Sequence, residues 1–250
     1  MLETDQKKVW KARAKTYNNL KWVNNDNLKK AILKHGDFAP NQIVLDAGTG
    51  TGAIAVTIAP HVKEVHGIDI SPEMLSLAFN GCKNVSYKEG DIRSMKIADG
   101  YYDRVTARNV FHNILSAEDR LKAAKECLRV LKKGGKFILQ EGVPPHPSLK
   151  SDFERIFALK ETRVTFVPEE MKKLLRDAGF AKASVEIVKD PDFDLINWLD
   201  NDGTLSEEVK KRIVYLHVNG SEEFKKHYNV RTAGGRILID TNAAFAIGEK

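Results

Sequence analysis

The chain has 250 residues, 42% of them hydrophobic, enough for one α/β domain with insertions and a sizeable core. The formal net charge is +6, but the lysine pairs at 7–8, 29–30, 132–133, 172–173 and 210–211 are spread out and interleaved with acids, the pattern of solvated helices rather than of a nucleic-acid patch. Cys82 and Cys127 are too few for a disulfide framework and lack metal-ligand spacing, no apolar run nears the ~18 residues of a membrane span, and Met1–Asp5 lacks a signal-peptide core, so a soluble cytoplasmic protein is expected.

Residues 5–34 read as two helices, Gln6 to Tyr17 and Asp26 to Lys34, stopped at Gly36. The first carries Trp10, Arg13 and Tyr17, and Trp22 follows, an aromatic and basic set ahead of the core. Ile43 to Leu45 reads as a buried parallel strand that runs into Asp46-Ala47-Gly48-Thr49-Gly50-Thr51-Gly52 and a helix from about Ala53. Glycines at every second position allow a sharp turn with a ligand against the backbone. The spacing differs from the G-x-G-x-x-G of dinucleotide binders, and Asp46 would repel a phosphate but suit an ammonium or sulfonium charge. A second strand, Val65 to Ile70, contains Asp69 about 20 residues after the loop, where a ribose-binding acid belongs. Ser71 and Pro72 supply a cap and first-turn proline for a helix to Asn80. A third strand, Val85 to Lys88, precedes Gly90-Asp91-Ile92.

Val44-Leu45-Asp46-Ala47-Gly48-Thr49-Gly50-Thr51-Gly52 resembles motif I of the class I S-adenosylmethionine-dependent methyltransferases, and the later stations follow in the family's order. The resemblance implies S-adenosylmethionine as cofactor and S-adenosylhomocysteine as product. It places the cofactor against Asp46, Gly48, Thr49, Gly50 and Gly52, with Asp69, Ile70 and Met74 after the second strand. Asp91 and Ile92 would hold the adenine, and Asn109 would contribute from the fourth strand. It also implies an N-terminal helical lid over residues 1–36, whose Tyr17 and Arg13 reach the methionine carboxylate; the alternative is that this helix only packs on the domain.

The fourth strand, Tyr102 to Ala107, leads to Arg108-Asn109-Val110-Phe111-His112 and a helix from Ala117 to Leu131. Lys133-Gly134-Gly135 then turns into a fifth strand, Lys136 to Gln140. The alternation predicts a Rossmann-like fold: a mostly parallel seven-stranded sheet with helices on both faces. Asp46, Asp69, Asp91, Asn109 and Glu141 all fall at strand ends, where such sheets bind ligands. Pro144 to Pro147 breaks regular structure, helices follow at Asp152 to Lys160 and Pro168 to Gly179, and Ala183 to Val188 reads as the sixth strand. The seventh, Arg236 to Ile247, is expected antiparallel at the sheet edge, as the resemblance to the methyltransferases implies. Core residues 40–189 and 236–250 are thus interrupted by 190–235, with helical patterns at Phe193 to Leu199, Ser206 to Val218 and Ser221 to Tyr228. That stretch is too long for a connection and reads as a cap; the alternative, an oligomerisation element, leaves a homodimer open.

A sulfonium methyl is already activated, so the protein must align the reactants, exclude water and remove a proton where the nucleophile carries one. His112 is the candidate general base, Glu141 a second titratable group, and Arg108 a cation beside them for an anionic acceptor. No metal is expected, since His112 and His146 stand isolated in the sequence. The [D/N]-P-P-[Y/F] motif of nucleobase methyltransferases is absent, as is the Pro-Cys setting of the cytosine-C5 enzymes, which favours a small-molecule acceptor with an N, O or C nucleophile in biosynthetic metabolism. The competing functions are a nicotinamide-dependent oxidoreductase, disfavoured by the loop spacing, and a non-catalytic protein that only binds the cofactor.

Overall fold

The chain order of apolar runs and helical patterns becomes one twisted sheet flanked by helices. The structure, a computed structural model, describes residues 3–250 and side chains from Trp10 onward. Met1 and Leu2 of the leader reading, and the side chains of Lys7 and Lys8, lie outside the described residues. Helices α1 (Glu3–Tyr17) and α2 (Asp26–Gly36) precede β1 (Ile43–Ala47), α3 (Ala53–Ile58), β2 (Glu64–Asp69), α4 (Pro72–Ser76), β3 (Val85–Glu89), β4 (Tyr102–Arg108), α5 (Ala117–Val130) and β5 (Leu131–Val143). After β5 come α6 (Lys150–Ala158), α7 (Pro168–Ala178), β6 (Lys182–Asp194), α8 (Leu195–Asp200), α9 (Glu207–Val218), α10 (Glu222–Tyr228), β7 (Arg231–Ala233) and β8 (Arg236–Glu249).

The sheet order is β3-β2-β1-β4-β5-β8-β6, with β1 to β5 parallel and β8 antiparallel to both of its neighbours. The order reverses between β1 and β4, which opens a crevice beyond their carboxyl ends. Alternate residues of β1 feed opposite faces: Leu45 joins the core under α5 and α7, and Val44 the core under α2 and α3. Both are fully buried, as a central parallel strand requires.

The last strand departs from the expected edge position. β8 lies between β5 and β6, and β6 forms the edge. Ala243, Ala244, Phe245 and Ala246 form a continuous buried run, which belongs to an interior strand, whereas β6 alternates partly covered Val185 with exposed Glu186. The short β7 adds a hairpin to β8, an eighth strand beyond the seven expected. α4 stops at Ser76 instead of Asn80, because Phe79 N–H donates to Thr51 O at 3.1 Å and Tyr87 Oη–H donates to Phe79 O at 2.9 Å, pinning that segment to the glycine loop. β6 runs on to Asp194, so Phe193 is strand and not helix.

Within 190–235, Asp194, Ser206 and Ser221 cap α8, α9 and α10 by accepting backbone N–H bonds. Their apolar faces meet α6 and the start of β8 in a separate core that includes Ile156, Leu199, Ile213, Phe224 and Ile239. No described helix is long and apolar enough to cross a membrane.

Candidate functional site

The turn after β1 is built from glycines in the left-handed region: φ is 74° at Gly48, 55° at Gly50 and 79° at Gly52. Gly48 N–H and Thr49 N–H donate to Ile68 O at 2.8 and 2.9 Å, which binds the loop to the end of β2. Asp69 continues the tie, with Oδ2 accepting from Gly50 N–H at 2.8 Å and Oδ1 from Ser71 N–H at 2.9 Å. A carboxylate oxygen has two acceptor positions, so each keeps one for a ligand. Burial pushes the Asp69 carboxyl up, and the two backbone donors pull against it.

Gly52 tolerates no side chain on two counts: its φ, and the 2.2 Å at which a Cβ would meet Tyr87 Oη. At Gly50 a Cβ would meet only Met74 Cε, at 3.3 Å. Gly52→Ala should therefore destabilise the fold by about 2 kcal/mol or more, and Gly50→Ala by less; thermal melts of the two variants check the order.

Asp46 is absent from the larger cavity over the loop and, with Thr49, lines a small hollow beside it together with Tyr17, Gly48, Gly50 and Arg108. It is 2% exposed, Oδ2 accepts from Thr49 Oγ1–H at 2.7 Å and Oδ1 from Thr106 Oγ1–H at 2.8 Å, so it braces the loop from behind. Burial raises its carboxyl, against the two hydroxyls. Thr49 is buried in the same brace, and Gly52 caps α3 without lining the main cavity.

A first cavity opens over the loop. Gly48, Gly50, Asp69, Ile70, Met74, Asp91, Ile92, Asn109 and Tyr17, of the residues expected to hold the cofactor, all line it. Asp91 is held by the Arg93 guanidinium at 2.7 Å; burial would raise its carboxyl, but the hydrogen bonds from Arg93 more than offset this and keep it low. Arg108 also faces this cavity rather than His112. Its Nη1–H donates to Val23 O at 3.1 Å, and its guanidinium lies 5.4 Å from the Trp22 ring centre. Burial lowers its pKa, with the nearby Tyr17 and Asp46 opposing. The expectation of a cation beside the base is thereby corrected: the strand end turns Arg108 toward the glycine loop. Arg13 departs too, since it pairs with Glu161 at 2.6 Å and Asp202 at 3.1 Å and lines a different cavity.

That second cavity meets the first at Trp10, Tyr17 and Asn109. Asn109 sits at φ 55°, a left-handed conformation unusual for a side-chain-bearing residue, and its Oδ1 accepts from Gly142 N–H at 3.3 Å. Aromatic walls come from Phe153, Phe157, Phe193, Trp198 and Tyr228. His112 lines the cavity with only 5% exposure. Its Nδ1 lies 2.5 Å from Glu141 Oε2, while Glu141 Oε1 accepts from Val110 N–H at 3.1 Å and Phe111 N–H at 2.8 Å. Glu141 is 0% exposed and borders neither cavity, so it touches His112 and backbone, not a ligand.

Sequence reasoning missed several groups here. Lys160 pairs with Asp202 and lies 3.6 Å from Glu161, which Arg163 also approaches at 3.5 Å. Burial alone would raise the Glu161 carboxyl, but Lys160 and Arg13 outweigh it and hold the group far below its ordinary value. Three buried polar atoms on the cavity wall, Arg13 Nε, Trp22 Nε1 and Gln140 Oε1, have no hydrogen-bond partner among the described residues. His217, buried at the far wall, donates Nδ1–H to Ile213 O at 2.8 Å, and burial depresses its pKa. Lys160, Glu161 and Arg163 are neighbours in sequence, but Arg13, Trp22, Gln140, Asp202 and His217 come from distant parts of the chain without motif spacing, so only the fold assembles the set. His146, read as isolated, instead stacks on His227 with ring centres 4.3 Å apart.

Residues 45–139 match the protein family described as "Methyltransferase domain". The chain is 31% identical over 127 residues to the "Uncharacterized methyltransferase YcgJ" of Bacillus subtilis, covering 49% of this chain and 49% of that protein. It is 36% identical over 106 residues to a demethylmenaquinone methyltransferase of Thermotoga maritima, covering 41% of this chain and 44% of that protein. The matched stretches thus span about half the length of these relatives or less. The crystal structure of YcgJ from B. subtilis superposes with a TM-score of 0.76 over 89% of this chain and 97% of that one, at 23% identity, which shows a shared fold.

Proposed function

We propose that this chain, whose residues 45–139 match the family described as "Methyltransferase domain", binds S-adenosylmethionine over its glycine loop and transfers the methyl group to a small acceptor in the aromatic cavity. The observation that carries this reading is the pair of cavities meeting at Asn109, one rimmed by the glycine loop and Asp69, the other by His112. The first fits the cofactor: Asp69 is preset by two backbone donors with acceptor positions to spare for a ribose diol, and Gly50 leaves bare backbone beside it. When bound, S-adenosylmethionine supplies a methyl group made electrophilic by the positive sulfur.

The chain's own residues do the rest. Glu141 holds His112 so that Nδ1–H donates to it, which leaves Nε2 as the lone-pair nitrogen that takes a proton from the acceptor. The aromatic walls exclude water and suit a flat, largely apolar acceptor, a chemical kind consistent with the quinone in the name of the T. maritima relative. Arg13, Lys160 and Arg163 outnumber Glu161 and Asp202, which favours an acceptor with an anionic or hydroxyl group at that end. The pairs from Arg13 to Glu161 and Asp202 fasten α1 over the junction, so α1 acts as the lid and 190–235 as the cap over the acceptor.

Calorimetry with S-adenosylhomocysteine tests the cofactor site. Asp69→Ala removes a charge-assisted contact and should weaken affinity about ten- to a hundredfold. A folded Asp69→Ala protein with unchanged affinity would refute the assignment.

A further inference from the structure

We propose that His146, Glu223 and His227 form a binding site for a divalent transition-metal ion of the zinc type, on the outer side of the acceptor cavity's wall. Their ligand atoms all lie within 4.8 Å of one another, and since zinc bonds of about 2 Å in tetrahedral geometry need ligand atoms roughly 3.4 Å apart, rotations that unstack the two rings would bring all three onto one ion. Two independent pieces of chain converge to make the group. Glu223 and His227 stand four residues apart on α10, hence on one helical face. His146 comes from the proline-rich turn between β5 and α6, and its ring stacks on that of His227, 4.3 Å between centres and 20° between planes.

The hydrogen bonds around the group include one arrangement that an ion would use. His146 Nδ1 lies 2.9 Å from Ser148 Oγ, and Ser148 Oγ–H donates to Glu223 Oε1 at 2.6 Å. With His146 Nδ1–H donating to the serine, Nε2 is left as the lone pair for an ion, the arrangement in which a metal-bound imidazole is oriented through its other nitrogen. Ser148 N–H, 3.3 Å from the same Nδ1, favours the other tautomer, and a cation would shift that balance. Two imidazoles and one carboxylate suit zinc better than calcium or magnesium, which want oxygen ligands throughout. His146 and Glu223 are exposed and His227 partly so, which gives an ion free access from solvent.

Pro145 and Tyr228, the neighbours of two of these residues, both line the acceptor cavity. A bound ion would cross-link the turn after β5 to α10 and so clamp the cavity's outer wall. This role stands whether or not the cavity holds a methyl acceptor.

Zinc chloride titrated into the chelator-treated full chain, in competition with a chromogenic chelator, tests the site. One ion per chain should bind with a Kd of about 10 μM or tighter. His146→Ala and His227→Ala should each weaken it roughly 30-fold, and Ser148→Ala roughly tenfold through loss of the orienting bond. Zinc should slow amide hydrogen exchange in 143–149 and 222–228 of the parent chain but not of the folded His227→Ala variant. Absence of stoichiometric binding at about 1 mM zinc, or an affinity unchanged from the parent chain in both histidine variants, would overturn the proposal.

Discussion

His112→Ala is expected to lower the single-turnover methyl-transfer rate by at least about 10²-fold, and by up to about 10⁴-fold, with S-adenosylhomocysteine affinity unchanged. The separation follows from geometry, because His112 lines the acceptor cavity and is not part of the wall over the glycine loop. An acceptor hydroxyl or cationic amine must lose a proton as its bond to the methyl forms, and His112 Nε2 is the ring nitrogen that Glu141 leaves uncommitted. The measurement is a rapid-quench assay with labelled methyl, using an acceptor found by screening small-molecule pools with the parent chain, and repeated across pH. A variant that keeps the parent's rate and pH profile would show that alignment alone drives transfer and that the proton leaves to solvent. Loss of cofactor affinity along with the rate would point instead to collapse of the 109–113 turn.

The parallel core was legible because each element carries a local signal: an apolar run, a glycine turn, a cap. That Gly48, Gly50 and Asp69 would lie together at one cavity could be read from sequence, since the loop and the strand end that bind each other are adjacent stations of one β-α-β unit. The position of β8 was not read, although its unbroken Ala243–Ala246 run distinguishes an interior strand from the alternating edge strand β6. Arg13 and Arg108 were misplaced for a different reason. Their ranges along the chain were right, but which cavity each faces depends on partners such as Glu161, Asp202 and Trp22, at sequence distances no periodicity reports. The charged wall of the acceptor cavity was invisible on the same grounds. Glu141 was singled out for its place at a strand end, and the structure turns it inward, where its neighbours give it a positioning part.

That part carries the second large expected effect. Glu141→Gln keeps the side chain's shape, so the carbonyl oxygen can still accept from Val110 and Phe111 N–H, and the fold should survive. The amide nitrogen then faces His112 Nδ1 where a carboxylate oxygen stood at 2.5 Å. An amide N–H donates, so His112 must present Nδ1 as acceptor and carry its proton on Nε2, the nitrogen that should be bare. The base is in place but in the wrong tautomer, and the rate of the chemical step should fall on the order of 10² to 10⁴-fold, as for an orienting acid in a hydrolase triad. Glu141→Ala is a different experiment: it strands buried backbone donors and should destabilise the protein by about 3 kcal/mol or more. The distinguishing readout is the nitrogen chemical shift of the His112 ring, which should move from the Nδ1–H to the Nε2–H pattern in Glu141→Gln. If the Gln variant turns over at the parent rate with that tautomer reversed, His112 takes no proton and the dyad only shapes the turn. A Gln variant impaired as strongly as His112→Ala, and no further impaired when both changes are combined, would establish that the two residues act as one unit.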